Sequence, residues 1–200
     1  MRIAPATWWA AIVALGLFEL GVAGLALRPR VTPEYRAYFI DKTSDCWPHT
    51  TSGAYTLGQT LSFVDGKGVS FVPNKICGWF YPGADGTWSY GRFSVLRLVF
   101  PPGSAALTLT MTAGAMVEKA RPLQRVVVST NGQPLCTLAF DSATPETKTL
   151  AVPAALTATG RIELRFDYPD AGPGTELGPN GDAHLRAIRM VALTLTAAEK

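Results

Sequence analysis

The run GWFYPGADGTWSYGRF, Gly78 to Phe93, gathers Trp79, Tyr81, Trp88 and Tyr90 around a glycine-rich turn that carries Asp85 and leads to Arg92. Side chains alternate between faces on an extended chain, so Trp79 and Tyr81 share one face while Trp88, Tyr90 and Arg92 share another. Rings on the outer face of a sheet, flanked by an Arg and an Asp, can hold a sugar. Ring contact supplies apolar area, and the charged groups orient hydroxyls. The same rings turned inward would be core, the commoner fate of Trp and Tyr between β-rich runs. These six residues, Trp79, Tyr81, Asp85, Trp88, Tyr90 and Arg92, are the candidate ligand or partner contacts.

Other chemistry is sparse. The sequence holds no GxSxG, HExxH or Walker loop, and no GxGxxG ahead of a helix. His49 and His184 are its histidines, and neither sits in a recognisable nucleophile-base arrangement. The loop DYPDAGPGTELGPNGD collects Asp167, Asp170, Glu176, Asn180 and Asp182, hard oxygen donors that could hold calcium, but without the spacing of an EF-hand. The favoured reading is a solvated turn in which Asp182 caps backbone or pairs with Arg186. The chain is therefore expected to be no enzyme and to carry neither cofactor nor metal.

Three cysteines leave one unpaired if a disulfide forms. Cys46 and Cys77 flank the first strands and are the better pair. Cys136 alternates with Leu138 and Phe140 in PLCTLAF and reads as a buried free thiol. The formal charge of +3 is spread rather than clustered, which argues against nucleic acid as a partner.

These residues must be positioned by strands. In RIELRFDY, Ile162, Leu164, Phe166 and Tyr168 point one way while Arg161, Glu163, Arg165 and Asp167 point the other. ALTLTMT repeats the pattern, with Leu107, Leu109 and Met111 inward and Thr108, Thr110 and Thr112 outward. Asn131-Gly132 between two β-rich runs is a strong hairpin signal, with φ above zero expected at both residues. Alternation in HLRAIRMVALTLT slips between Met190 and Val191, where a bulge is expected. About nine short strands imply two packed antiparallel sheets, an all-β sandwich of jelly-roll or immunoglobulin-like outline. That domain is expected over residues 35–200, with no helix after Tyr35.

Ahead of it, Ala6 to Leu27 reads ATWWAAIVALGLFELGVAGLAL, in which Thr7 and Glu19 are the only polar side chains. At 1.5 Å per residue this is roughly 33 Å of helix, enough to cross a bilayer's hydrocarbon core. Residues 1–27 are read as one retained transmembrane anchor and the proline-bearing residues 28–34 as a linker. The anchor is rich in small residues. Ala10, Ala14, Gly21 and Gly24 share a helical face that would let a partner helix approach closely. Glu19, costly in hydrocarbon unless neutral, paired or shielded, is expected to face a partner subunit. With no histidine, the helix offers no imidazole to a haem or chlorophyll-type metal.

YTLGQTLSF, GWFYPGADGTWSYG and ELGPNGDAHLRAIRMVALTL, spread over residues 55–195, together resemble a β-sandwich domain of unknown function found appended to some bacterial membrane glycosyltransferases. The matching positions are Leu57, Gly58, Gly78, Trp79, Pro82, Trp88, Ser89, Gly91, Asp182 and Leu185. The sequence departs from the pattern at Ala84-Asp85, where an acidic-then-aromatic pair is usual, and at Arg186-Ala187, where Leu-Gly is usual. The resemblance implies a carbohydrate-binding-like fold outside the membrane.

Two functions follow as expectations. The first is a non-catalytic accessory or scaffolding subunit of a larger membrane complex. It would dock through one helix onto integral membrane subunits of a bacterial inner membrane, with its sandwich in the periplasm or outside. The alternative is a membrane-tethered glycan-binding module serving polysaccharide or glycosyltransferase machinery.

Overall fold

The computed structural model describes residues 5–27, 31–41, 45–46, 51–103, 105–173 and 184–198. Pro5–Leu27 forms one helix, α1. From Trp8 to Leu27 it is long and apolar enough to cross a membrane, with a mean hydropathy of 2.2. Its side chains from Trp8 onward are exposed around the whole circumference. Glu19 apart, the exposed side chains from Trp8 onward are apolar on every side, the pattern of a helix that is buried or spans a membrane.

Helix does follow Tyr35, contrary to expectation. Pro33–Tyr35 makes one α-helical turn and Arg36–Ile40 continues it as a π-helical turn. The Thr32 hydroxyl accepts from the Tyr35 N–H at 3.3 Å, and Asp41 N–H donates to the Arg36 carbonyl at 2.8 Å. Thr-Pro here starts a helix rather than breaking one, because a proline in the first turn lacks only an N–H that would be unsatisfied anyway.

The strands are β1 (Thr60–Ser62), β2 (Val69–Ser70), β3 (Lys75–Cys77), β4 (Thr87–Trp88), β5 (Phe93–Val99), β6 (Leu107–Ala115), β7 (Gln124–Thr130), β8 (Gln133–Phe140), β9 (Glu146–Val152), β10 (Arg161–Asp167), β11 (Gly172–Pro173), β12 (Leu185–Arg186) and β13 (Ile188–Ala197). They build an all-β sandwich. One sheet runs β2-β1-β13-β6-β9, with β4 also paired to β13, and the other runs β3-β5-β10-β7-β8. The pairs are antiparallel except β1 with β2, which run parallel. The expected alternations hold: Leu107, Leu109 and Met111 from one sheet meet Ile162, Leu164 and Phe166 from the other in the core.

Two local signals are realised in detail. Asn131 and Gly132 have φ of 50° and 80° and close the β7–β8 hairpin. On β13 the register with β6 shifts between Met190 and Ala192, so the extra residue is Val191. The bulge lets Met190 and Leu193 both reach the core despite their odd spacing.

Cys46 and Cys77 are joined by a disulfide, with Cα atoms 4.6 Å apart. The Asp45 carboxylate accepts from Gly78 N–H and pairs with Lys75 at 3.1 Å. Residues 45–46 are thus pinned to β3, the edge of the second sheet. Cys136 is half-buried rather than buried, because β8 is an edge strand and packs less completely. Burial still pushes its thiol pKa up.

Candidate ligand-binding face

Residues 78–80 pair with residues 88–90. Phe80 N–H donates to the Trp88 carbonyl at 3.0 Å, and Tyr90 N–H donates to Gly78 at 2.8 Å. Trp79 lies opposite Ser89 in this bridge, and both are buried. Strand alternation then sends Phe80, Trp88 and Tyr90 to the other face, where all three are half-buried. Gly78 makes the arrangement possible: its φ is +78°, and a Cβ there would stand 2.3 Å from the Phe93 carbonyl oxygen.

Trp79 is therefore core, with 1% of its surface exposed. Its ring packs edge-on against Phe63 at 5.2 Å, Phe71 at 6.0 Å and Phe166 at 5.9 Å. Tyr81 does not share its face. The chain leaves the bridge after Phe80, and Tyr81 stands 91% exposed with the Lys75 ammonium 5.8 Å from its ring centre.

Trp88 and Tyr90 belong to a cluster assembled largely from the far end of the chain. The Tyr90 ring lies 4.7 Å from Phe80 and 4.8 Å from His184. The Arg186 guanidinium is 4.6 Å from the Phe80 ring centre and 5.9 Å from that of Trp88, and Arg189 is 5.6 Å from Trp88. Register explains the last contact, since Trp88 and Arg189 are partners on β4 and β13. Asp85, at the turn, forms an ion pair with Arg189. Each ring-guanidinium contact is worth about 0.5–1 kcal/mol at an exposed site. Together they fix the rings against one edge of the sandwich.

The buried Ser89 supports this edge. Its hydroxyl accepts from Ala187 N–H at 2.9 Å and Ile188 N–H at 3.2 Å. Gly91 N–H donates to Leu185 at 2.8 Å. The segment 88–91 is thereby sewn to residues 185–188, which carry Arg186.

Arg92 stands apart from the rings. It is exposed and lines a groove with Arg121, Arg125 and Asp170. Arg125 holds Asp170 in a two-pronged pair at 2.8 and 2.7 Å, which brings the Asp170 carboxyl down to about 2. Arg121 binds Glu118 at 2.9 Å and the Pro173 carbonyl at 3.0 Å.

The structure brings Asp85, Trp88 and Tyr90 together, removes Trp79 to the core and leaves Tyr81 and Arg92 as separate exposed groups. Phe80, His184, Arg186 and Arg189 are the cluster members that strand alternation alone did not single out. A usable signal was present: Arg189 precedes the alternation slip on the last strand, on the solvent side. Asp167 and Asp170 of the acidic loop are engaged by Arg165 and Arg125. Glu176, Asn180, Asp182 and the Asp182–Arg186 pairing lie outside the described residues, as does His49. Among the described residues no group of three or more His, Cys, Asp or Glu could hold a metal ion. On α1, Ala10, Ala14, Glu19, Gly21 and Gly24 are all exposed, with open space beside both glycines.

Chemically, this face offers apolar rings beside guanidinium N–H donors and one carboxylate, and no paired nucleophile and base.

No protein-family model matches the chain, and no curated protein matches it. Among solved structures, the xylan-binding module CBM15 is 12% identical, with a TM-score of 0.43 over 77% of this chain and 97% of that one. The CBM36-1 domain of a multidomain xylanase from the hindgut metagenome of Trinervitermes trinervoides is 13% identical, with a TM-score of 0.41 over 74% of this chain and 94% of that one. CBM35 from Paenibacillus barcinonensis is 14% identical, with a TM-score of 0.37 over 72% of this chain and 92% of that one.

Proposed function

We propose that this protein is a non-catalytic, membrane-tethered module whose sandwich binds a glycan outside the membrane. The observation that carries the reading is the ring-guanidinium edge: Phe80, Trp88 and Tyr90 held in place by Arg186 and Arg189, with Asp85 at its rim. Half-exposed rings give a sugar apolar contact, and fixed N–H and carboxylate groups read its hydroxyls. α1 supplies the tether. The Cys46–Cys77 disulfide supports an oxidising compartment such as the bacterial periplasm or exterior.

Retention of the full chain on immobilised glycans tests it. Trp88→Ala should abolish retention of a glycan the parent protein holds, while leaving the melting temperature of the sandwich nearly unchanged. Loss of folding instead would show that Trp88 is structural, and unchanged retention would remove it from the site.

α1 itself favours a second reading, an accessory subunit that stabilises a larger inner-membrane complex. Its small-residue face, Ala10, Ala14, Gly21 and Gly24, suits a partner helix, and the Glu19 carboxylate, roughly on the opposite side, suits a second protein contact. Extraction in mild detergent followed by native mass measurement should then find the chain together with integral membrane subunits. A chain that comes out alone contradicts this reading and leaves glycan binding standing.

A further inference from the structure

We propose that the helical segment Pro33–Ile40 is a membrane-interface element, with Tyr35, Phe39 and Ile40 seated at lipid headgroup level. The inference rests on reading α1 as a membrane span. Tyr35 is 39% exposed, Phe39 47% and Ile40 44%. The rings are contiguous: Phe39 lies 4.6 Å from Tyr35 and 4.6 Å from Tyr38. The π-helical turn, closed by Asp41 N–H on the Arg36 carbonyl, is the backbone that carries Arg36 to Ile40. Tyr35 and Phe39 thus form an exposed ring pair beside Ile40, with Tyr38 half-buried behind them.

Chain length decides what contacts it. Pro33 follows the last residue of α1, Leu27, by six positions, and six residues reach at most about 20 Å even fully extended. Pro33 therefore lies within about 20 Å of the end of α1, which keeps the patch within reach of the bilayer surface. Tyrosine rings, apolar in body and polar at the tip, suit that level. Arg36 and Asp41, paired at 3.6 Å and about half exposed, supply polar groups to the same turn. Five residues beyond Ile40 the chain is fixed to β3 through Asp45 and Cys46. The interface element thus also limits how far that sheet edge stands from the membrane.

The test places single cysteines in the full chain, in a Cys136→Ser background with the Cys46–Cys77 disulfide kept oxidised. Phe39→Cys, Lys67→Cys and Leu17→Cys are labelled with a polarity-sensitive fluorophore and reconstituted into phosphatidylcholine/phosphatidylglycerol vesicles. Lys67 lies in an exposed turn of the sandwich and serves as the aqueous reference. The label at 39 should be quenched several-fold more by a headgroup-level lipid nitroxide, and several-fold less by iodide, than the label at 67. Iodide quenching at 39 equal to that at 67, with 17 quenched from lipid, overturns the inference and leaves the span intact. Shielding of 39 from both quenchers overturns it in favour of a protein cover. Iodide quenching at 17 shows that the span itself fails, and the inference falls with it.

Discussion

Trp79 and Tyr81 are two residues apart, and the pairing of 78–80 with 88–90 gives them opposite fates. The consequence is measurable. Trp79→Ala empties part of an aromatic core shared with Phe63, Phe71 and Phe166 and should cost about 3–5 kcal/mol in a urea titration. Tyr81→Ala should change stability by less than about 0.5 kcal/mol, because the ring stands in solvent. Equal effects would mean the bridge is wrongly placed. The Arg125–Asp170 pair has a pH signature. The Arg125 hydrogen bonds hold the Asp170 carboxyl at about 2, below the ordinary value near 3.9, so the folded state favours the carboxylate. Its contribution is complete above the unfolded value and is lost as pH falls toward 2. A carbon-detected NMR titration should place the Asp170 midpoint there, and Arg125→Ala should return it toward about 3.9. An unmoved midpoint would contradict the assignment.

At the scale of elements, the disulfide and the hairpin carry the clearest expectations. Cys46 and Cys77 close a loop with a sequence separation of 31, so replacing both with serine should cost about 3–4 kcal/mol. The same replacement should leave the Asp45 carboxylate, bound to Lys75 and to Gly78 N–H, as a tie of that segment to β3. Gly132→Ala meets no atom within 4 Å but must hold a φ of +80°, so a penalty of about 1 kcal/mol is expected from backbone conformation alone. Both values can be read from chemical denaturation, with the slope fitted separately for the disulfide variant, whose unfolded chain is less constrained. This is also the scale at which the sequence was most legible. Period-2 alternation located β6 and β10, Asn131-Gly132 located the hairpin, and the slip after Met190 located the bulge. Each of these is written in consecutive residues. One missed feature is also local: Thr32-Pro33 starts the helical turn Pro33–Ile40, because a proline in the first turn is a start signal as well as a breaker. The others are not local. The parallel β1–β2 pair and the ring-guanidinium edge depend on which strands meet. His184, Arg186 and Arg189 reach Phe80, Tyr90 and Trp88 only because β4 pairs with β13, a contact across about a hundred positions that no spacing rule encodes.

At the scale of the whole molecule, the chain joins an apolar helix to a sandwich that, among the described residues, sets Phe80, Trp88 and Tyr90 beside Arg186 and Arg189. Under the proposed function, a weak site tethered near a membrane would work at the local concentration of its glycan, so modest affinity would be enough. The arrangement also predicts separable behaviour: variants at the edge should change ligand retention without changing membrane association, and variants in α1 should do the reverse. The most direct test of the central claim is a glycan-array measurement on the full chain in detergent, run beside Trp88→Ala and with folding of both checked by melting. The account predicts retention on at least one glycan class by the parent protein and its loss in the equally folded variant. Absence of retention across the array, or retention that survives Trp88→Ala, would contradict it.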